Sequence, residues 1–526
     1  MGKFRLLITA VVASVCAFCT AVAADTTSAA SPAAPHAARI SDAVKKNPTC
    51  CKALSIFLPK RVFNPDGSRY KSSIASYWSV QEQSVRPACV VIPQNTIDVA
   101  FAVGILNIAS ELLHDNGCEF AVRSGGHTPF AGSANIQGGV TIDLSSLNQV
   151  KVSDDQKQVA IGPGNRWEDV YLKLDALGLS TSGGRASSVG VGGLTLGGGF
   201  SFFSPRYGLV CDNVLNFEVV LSSGLIVNAN PTTNVDLFRA LKGGTNNFGV
   251  VTRFDMRAFK QGKFWGGFAG QDISTRFQQY QIFEEFAMSK NYDPYSALIL
   301  SFSFTKEPGW IIASDYEYTK PQPNPPAFKK FLDLPQTFST LRISNLTDFT
   351  IEIDAHNPSG SRELFVTATF KNNAKTMEKF FDISNQTVQS LADVKNLTFS
   401  LSFQPLPQTV IGYGIANGGN ALGLDRSDGD LVNVLLTVQW AEAGDDDRIN
   451  QAAKDLFKKA EAASKSLGTY NPYLYLNYAA DFQDPIAGYG AASVANLKAV
   501  SKKYDPTQLL QKQLPGGFKL VEPGLV

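Results

Sequence analysis

Gly183-Gly-Arg-Ala-Ser-Ser-Val-Gly-Val-Gly-Gly-Leu-Thr-Leu-Gly-Gly-Gly199 constrains this chain more than any other stretch. Ordering so many glycines costs more backbone entropy than ordering any other residue type. A flexible linker fits poorly, because Val189, Val191, Leu194 and Leu196 are interleaved apolar residues. A backbone laid flat against a large planar ligand fits better. A second glycine turn lies upstream, in Phe120-Ala-Val-Arg-Ser-Gly-Gly-His127-Thr-Pro-Phe-Ala-Gly-Ser133. It reads as a short apolar strand running into Gly125-Gly126, with His127 at its edge. Successive N–H groups in such a turn converge on one anion. Arg123 adds a cationic fork and Ser124 a hydroxyl, so a phosphate or pyrophosphate cradle is one reading. An ordinary strand-to-helix turn is the other.

The 526 residues exceed one core and predict at least two domains. Charged residues make up 18% and the net charge is +1, which argues against nucleic acid or a membrane surface as the main partner. Residues 1–24 read as a secretory signal: Lys3 and Arg5 precede an apolar run, and Ala21-Val22-Ala23 offers small residues for cleavage. Residues 25–45 are expected to be disordered. Secretion permits disulfides. Cys50, Cys51, Cys89 and Cys118 cluster, so two bridges among them are expected, while Cys211 sits in an apolar context and reads as a buried thiol. Asn345-Leu-Thr, Asn385-Gln-Thr and Asn396-Leu-Thr match the glycosylation pattern.

Strands are predicted at Cys89–Ile92, Gly139–Leu144 and Gln158–Ile161, and helices at Asn95–Gly117 and Trp167–Leu177. A hairpin is predicted around Ser222-Ser-Gly224. Near residue 258 the texture changes. Strands at 297–305, 310–318, 363–371, 397–403 and 431–440 alternate with helices near 376–391 and 445–467, as in a second domain. The fold class is α+β.

There is no G-x-G-x-x-G at the right spacing, no Walker loop, no H-E-x-x-H and no G-x-S-x-G. His36, His114, His127 and His356 lie in unrelated contexts, so no metal site is expected. The chain resembles the FAD-linked oxidases of the vanillyl-alcohol oxidase type, berberine-bridge-enzyme-like branch, secreted fungal members. The resemblance rests on Arg123-Ser-Gly-Gly-His127, Gly183–Gly199, Arg206-Tyr-Gly-Leu-Val-Cys-Asp-Asn213, Lys242-Gly-Gly-Thr-Asn-Asn-Phe-Gly249 and Tyr475-Leu-Asn-Tyr478. It implies a two-part FAD-binding domain (46–258), a substrate domain with a large antiparallel sheet (259–470) and a C-terminal segment returning to the flavin (471–526).

The resemblance also implies FAD bonded through His127, with Arg123, Ser124, Gly125 and Gly126 at the pyrophosphate. Ser133, Val189, Gly192, Gly193, Gly197, Gly198, Val250 and Asn477 are then expected to line the cofactor. Three departures matter. Ala186 stands where many relatives carry a second, cysteinyl flavin bond, so one covalent bond is expected. Phe200 replaces a tyrosine. Gly418-Gly-Asn-Ala-Leu-Gly423 lacks the family's glutamate base. Tyr475 and Tyr478 become the candidate bases, with Gln404 orienting. A tyrosine base, ordinarily near pKa 10, needs a cation or hydrogen bonds to bring it down. Val189, at the position of the family's small residue, favours an oxidase that uses O2 and releases H2O2. The expected protein is a monomer acting on a small alcohol, amine or secondary metabolite. Oligosaccharide oxidation, or flavin binding with little catalysis, are the alternatives.

Overall fold

The computed structural model describes residues 48–113 and 118–521. The signal and disordered-segment readings, His36, His114 and Gly117 lie outside the described residues. Three sheets carry the fold. The first has the order β1-β2-β4-β3: β1 (Val62–Phe63), β2 (Cys89–Val91), β3 (Phe120–Arg123) and β4 (Val140–Asp143). β4 pairs parallel to both β2 and β3. The helix Thr96–Leu113 makes the crossover that a parallel pair requires, started by the Asn95 side chain accepting from the Asp98 N–H. Two disulfides, Cys50–Cys118 and Cys51–Cys89, tie the helix Pro48–Phe57 to this sheet, and Cys211 is a buried free thiol, as expected.

The second sheet is antiparallel: β5 (Val150–Val152), β6 (Gln158–Ile161), β7 (Leu179–Thr181), β8 (Val214–Val220), β9 (Ile226–Ala229) and β10 (Val250–Lys260), the last pairing with β6, β7 and β8. The predicted hairpin is the β8–β9 pair. The third sheet is larger: β11 (Phe264–Asp272), β12 (Ser296–Thr305), β13 (Gly309–Tyr318), β14 (Gln336–Ser339), β15 (Arg342–Ser344), β16 (Arg362–Lys371), β17 (Thr398–Leu406), β18 (Leu431–Trp440) and β19 (Tyr470–Asn471). The fold is thus mixed helix and sheet, with a large antiparallel sheet following the part that carries the glycine loops.

Period-two alternation gives the third sheet its two faces. Leu298, Leu300 and Phe302 on β12, Phe399, Leu401 and Phe403 on β17, and Val432, Val434, Leu436 and Val438 on β18 are buried in one core. The helices Ala374–Gln389 and Asp446–Ser466 contribute Met377, Phe380, Leu456 and Ala460 to that core. The intervening residues face the other way. Ser301 pairs with Ser402 at 2.8 Å and Ser303 with Ser400 at 2.9 Å, a hydroxyl ladder across β12 and β17. This second face looks onto the glycine loops.

Candidate active site

The two glycine segments meet backbone to backbone. A Cβ on Gly125 would lie 2.5 Å from the Gly190 Cα, and one on Gly190 would lie 2.3 Å from the Gly125 nitrogen. No other residue fits at either position without parting the loops. Ser124 staples them: its Oγ donates to the Pro163 carbonyl at 2.5 Å and accepts from the Gly192 N–H at 3.0 Å. Residues 191–196, read from sequence as flat backbone, form a short helix, Val191–Leu196. Buried Glu82 accepts from the N–H groups of Gly132 (3.0 Å) and Ala134 (2.7 Å), fixing the loop that presents Ser133.

A cavity of about 580 Å³ lies between these loops and the third sheet. Ser124, Gly125, Gly126, His127, Ser133, Val189, Gly192, Gly193 and Val250 line it. Gln404, on β17, and Tyr475, Asn477 and Tyr478 of the C-terminal segment line it too. Residues more than 250 positions apart in the chain, such as Ser124 and Tyr478, thereby face one cavity.

Arg123, Gly197 and Gly198 do not line it. Arg123 corrects the cradle reading. On β3 the side chains alternate, so Val122 faces the cavity and Arg123 the opposite side. Its guanidinium donates to the Ser73 carbonyl (2.5 Å) and the Ser76 Oγ (2.8 Å). It also lies 3.5 Å from an Asp143 oxygen and 4.0 Å over the Tyr77 ring. It is a structural cation. Gly197 serves indirectly, since a Cβ there would fall 2.0 Å from the Asn477 Oδ1. Gly198 holds a φ of +111°, which favours glycine, beside Tyr475.

His127 is clamped. Trp78 stacks on its ring at 4.3 Å and 11°. Its Nε2 lies 3.2 Å from the Ser188 Oγ, which donates in turn to Asp354. Burial, reinforced by the nearby Arg166 charge, holds the imidazole pKa down to about 3, so the ring is neutral. A neutral ring with Nε2 engaged leaves Nδ1 with its role set by that hydrogen bond. Trp78, Ser188 and Asp354 had no signal in a single sequence, since they come from three distant segments.

The structure separates the two tyrosines. Tyr475 is 1% exposed. Its Oη accepts from the Phe200 N–H and the Asn477 Nδ2, both at 3.0 Å. Burial, then the adjacent Tyr478, push its pKa up, the wrong direction for a base. Tyr475 therefore positions Asn477 and the glycine turn, and the base reading is withdrawn for it. Tyr478 differs: its Oη accepts from Arg185 at 2.6 Å. The same guanidinium donates to the Gln404 Oε1, also at 2.6 Å. A charge-assisted donor thus sits on the one phenol oxygen of the pair that faces a cation. Arg185 was missed, although it lies inside the glycine segment, because the spacing of that segment was read for its backbone alone.

The residues present fit FAD. The loops approach each other more closely than any side chain allows, Gly193 has open space where a Cβ would be, and the lining is mostly apolar with few polar groups. Among the described residues no group of three or more metal-ligating side chains occurs, and no helix is long and apolar enough to cross a membrane.

Residues 87–230 match the FAD binding domain family. The chain is 37% identical over 491 residues to the FAD-dependent monooxygenase CTB5 of Cercospora beticola, covering 91% of this chain and 92% of that protein. Among solved structures it is similar to BBE-like 1 of Physcomitrella patens, with a TM-score of 0.71 and 19% identity, covering 90% of this chain and 100% of that one. It is also similar to the glucooligosaccharide oxidase of Acremonium strictum, described as carrying a 6-S-cysteinyl, 8α-N1-histidyl FAD. There the TM-score is 0.69 and the identity 17%, covering 88% of this chain and 97% of that one. The chain belongs to the family of FAD-dependent oxidoreductases that includes the FAD-dependent monooxygenase CTB5, and it shares the fold of BBE-like 1.

Proposed function

We propose that this protein is a secreted FAD-dependent oxidase that holds its flavin through His127 alone and oxidises a small alcohol, amine or secondary metabolite, passing electrons to O2 with release of H2O2. The observation that carries the reading is the Arg185 guanidinium placed at 2.6 Å from both the Tyr478 Oη and the Gln404 Oε1, on the cavity wall. Bound FAD supplies the two-electron acceptor. The protein's own part is to orient a substrate C–H, exclude water and take the accompanying proton. Tyr478 accepts that proton as its phenolate and becomes the neutral phenol, with the Arg185 guanidinium stabilising the phenolate before the transfer and Gln404 holding Arg185 in place. The clamped, neutral imidazole of His127 supports attachment at that residue, and Ala186 at the cavity wall supports a single bond. The two disulfides and the N-terminal sequence support secretion.

Purified protein is expected to be yellow and to keep flavin fluorescence after acid precipitation, and His127→Ala is expected to release the flavin. Fluorescence that stays with the His127→Ala precipitate rejects the attachment site. Peroxide release across alcohols, amines and oligosaccharides tests the oxidase reading and the sugar alternative together, and silence across the panel rejects turnover of these classes. The names of relatives favour a second reading, a monooxygenase. Turnover under isotopically labelled O2 decides between them: label in peroxide alone supports the oxidase, label in the organic product the monooxygenase.

A further inference from the structure

Two carboxylates line the cavity. Asp354 accepts from Ser188. Asp315, on β13, is 2% exposed, and no amide, hydroxyl, guanidinium or ammonium group of the described residues donates to either of its oxygens. Glu317, two residues on and on the same face of the strand, is its neighbour. A Cβ on Gly266 would lie 1.7 Å from a Glu317 oxygen, so glycine at 266 makes the room that this second carboxyl occupies. Burial, and then the Asp315 charge, keep Glu317 protonated, and its one proton leaves most of the acceptor capacity of Asp315 unused. Burying such capacity without a partner is costly, so a cavity that does so is waiting for a donor.

The surroundings restrict that donor. Arg185 lies near enough to draw on the Asp315 charge, burial raises the Asp315 pKa to about 7, and the nearby Glu352 is itself paired with Arg342 at 2.6 Å. Burial that disfavours charge, with a cation already near, leaves this carboxyl suited to a neutral hydroxyl over an ammonium. The walls beside it are flat and apolar. Phe268 stands opposite Asp315 in the β11–β13 register, Ile299 opposite it in the β12–β13 register, and the Phe338 ring covers Gly270 at the mouth. Ile299 also lies next to Gln404, one step beyond the Leu300–Phe403 pair. Asp315 and Gln404 are therefore two strand spacings apart, roughly 9–10 Å, about the span of a fused two-ring skeleton.

We propose that Asp315 is the recognition point for a phenolic hydroxyl, and that the substrate is a hydroxylated planar aromatic whose reacting carbon lies toward Tyr478. This deepens the oxidase reading and rests on the cavity being its substrate site. The hydroxyl donates to the Asp315 carboxylate, the rings lie along Phe268 and Ile299, and no covalent change occurs at Asp315.

The test is calorimetric titration of the flavin-loaded full chain with 6-(hydroxymethyl)-2-naphthol and with its 2-methyl ether, which cannot donate. The naphthol is expected to bind about tenfold or more tighter, the size of a hydrogen bond to a charged acceptor. Asp315→Leu is expected to erase that preference and leave the ether's affinity unchanged or improved. The near-isosteric Asp315→Asn, which disturbs packing least, is expected to reduce it. Equal binding of the two probes by the wild type, an unchanged preference in both variants, or binding of neither probe overturns the proposal. So does tighter binding of the analogue carrying an aminomethyl group in place of the phenol. Selective binding of the naphthol without peroxide from any substrate leaves this assignment standing and rejects the oxidase reading.

Discussion

Single side chains decide what the cavity does. Tyr475 and Tyr478 are two positions of one short motif, and their rings contact each other edge to face at 4.7 Å. Their chemistry differs because one oxygen meets a backbone N–H in a dry pocket and the other meets a guanidinium. Tyr478→Phe is therefore expected to lower turnover by about 10²–10⁴-fold, the usual worth of a positioned proton acceptor, with the flavin still bound. Steady-state rates on whichever substrate the peroxide panel identifies check this. Tyr475→Phe is expected to act mainly through stability and flavin binding, because the two donors it satisfies lose their acceptor. The clamp on His127 makes a separate prediction. Ser188→Ala removes the partner of Nε2, and Asp354→Asn replaces the charged acceptor behind it by a neutral amide. Both variants are expected to bind FAD but to release a larger share of it on acid precipitation, read as the ratio of flavin in supernatant and pellet. Equal ratios in wild type and variants count against that role.

Elements work through their faces. Phe403 and Ser402 are neighbours on β17, but Phe403 is buried in the core and Ser402 lines the cavity. Phe403→Ala is expected to cost about 3–5 kcal/mol in urea unfolding, as for other buried aromatics cut to alanine. Ser402→Ala leaves a small change, since its partner Ser301 stays on the cavity side with water available. The glycine loops behave as one element made from two. Gly190→Ala pushes a methyl into the Gly125 backbone, so the loops must part. Protein that folds but comes out of purification colourless is the expected result. How legible these elements were follows from their physics. β18 and the long helix before residue 467 were readable, because ten apolar-alternating residues or six turns of amphipathic pattern need no outside information. β11 was not, since Gly266-Gly267 and Gly270 interrupt its apolar pattern. Those glycines are there for what crosses them: Glu317, Thr340 and Phe338.

At the scale of the whole molecule, buried acids set the response to pH. Burial raises Glu82 to about 7 and Glu363 to about 9, both above their unfolded value of 4.5. The folded form then binds more protons than the unfolded one across that window. The stability these groups contribute is full below about pH 4.5 and is lost as pH rises through 7 and then 9. His127, held down to about 3, opposes this below its unfolded value of 6.5, because the unfolded chain takes up the proton there. The acids outnumber it, so thermal melts are expected to show a lower melting temperature at pH 8 than at pH 5, and Glu82→Gln to flatten the slope. A melting temperature that rises over that range contradicts the burial assigned to them.

The sequence by itself marked the two glycine segments and, through its resemblance to the FAD-linked oxidases, the cofactor class. Close backbone approach can be written only in glycine, at fixed local spacing, so the signal survives without neighbours. It also determined the cysteine cluster and most long elements, for the same local reason. Only the tertiary structure decided which way Arg123 points, which tyrosine meets a cation, and that Ser188 and Asp354 stand behind His127. Each of these depends on the sheet register and on segments far apart in the chain, and pairing energies of that kind leave no mark in the local pattern of a single sequence. The glycine segment with which the chain is first read thus carries both kinds of information: its backbone was legible at once, and the reach of Arg185 within it was not.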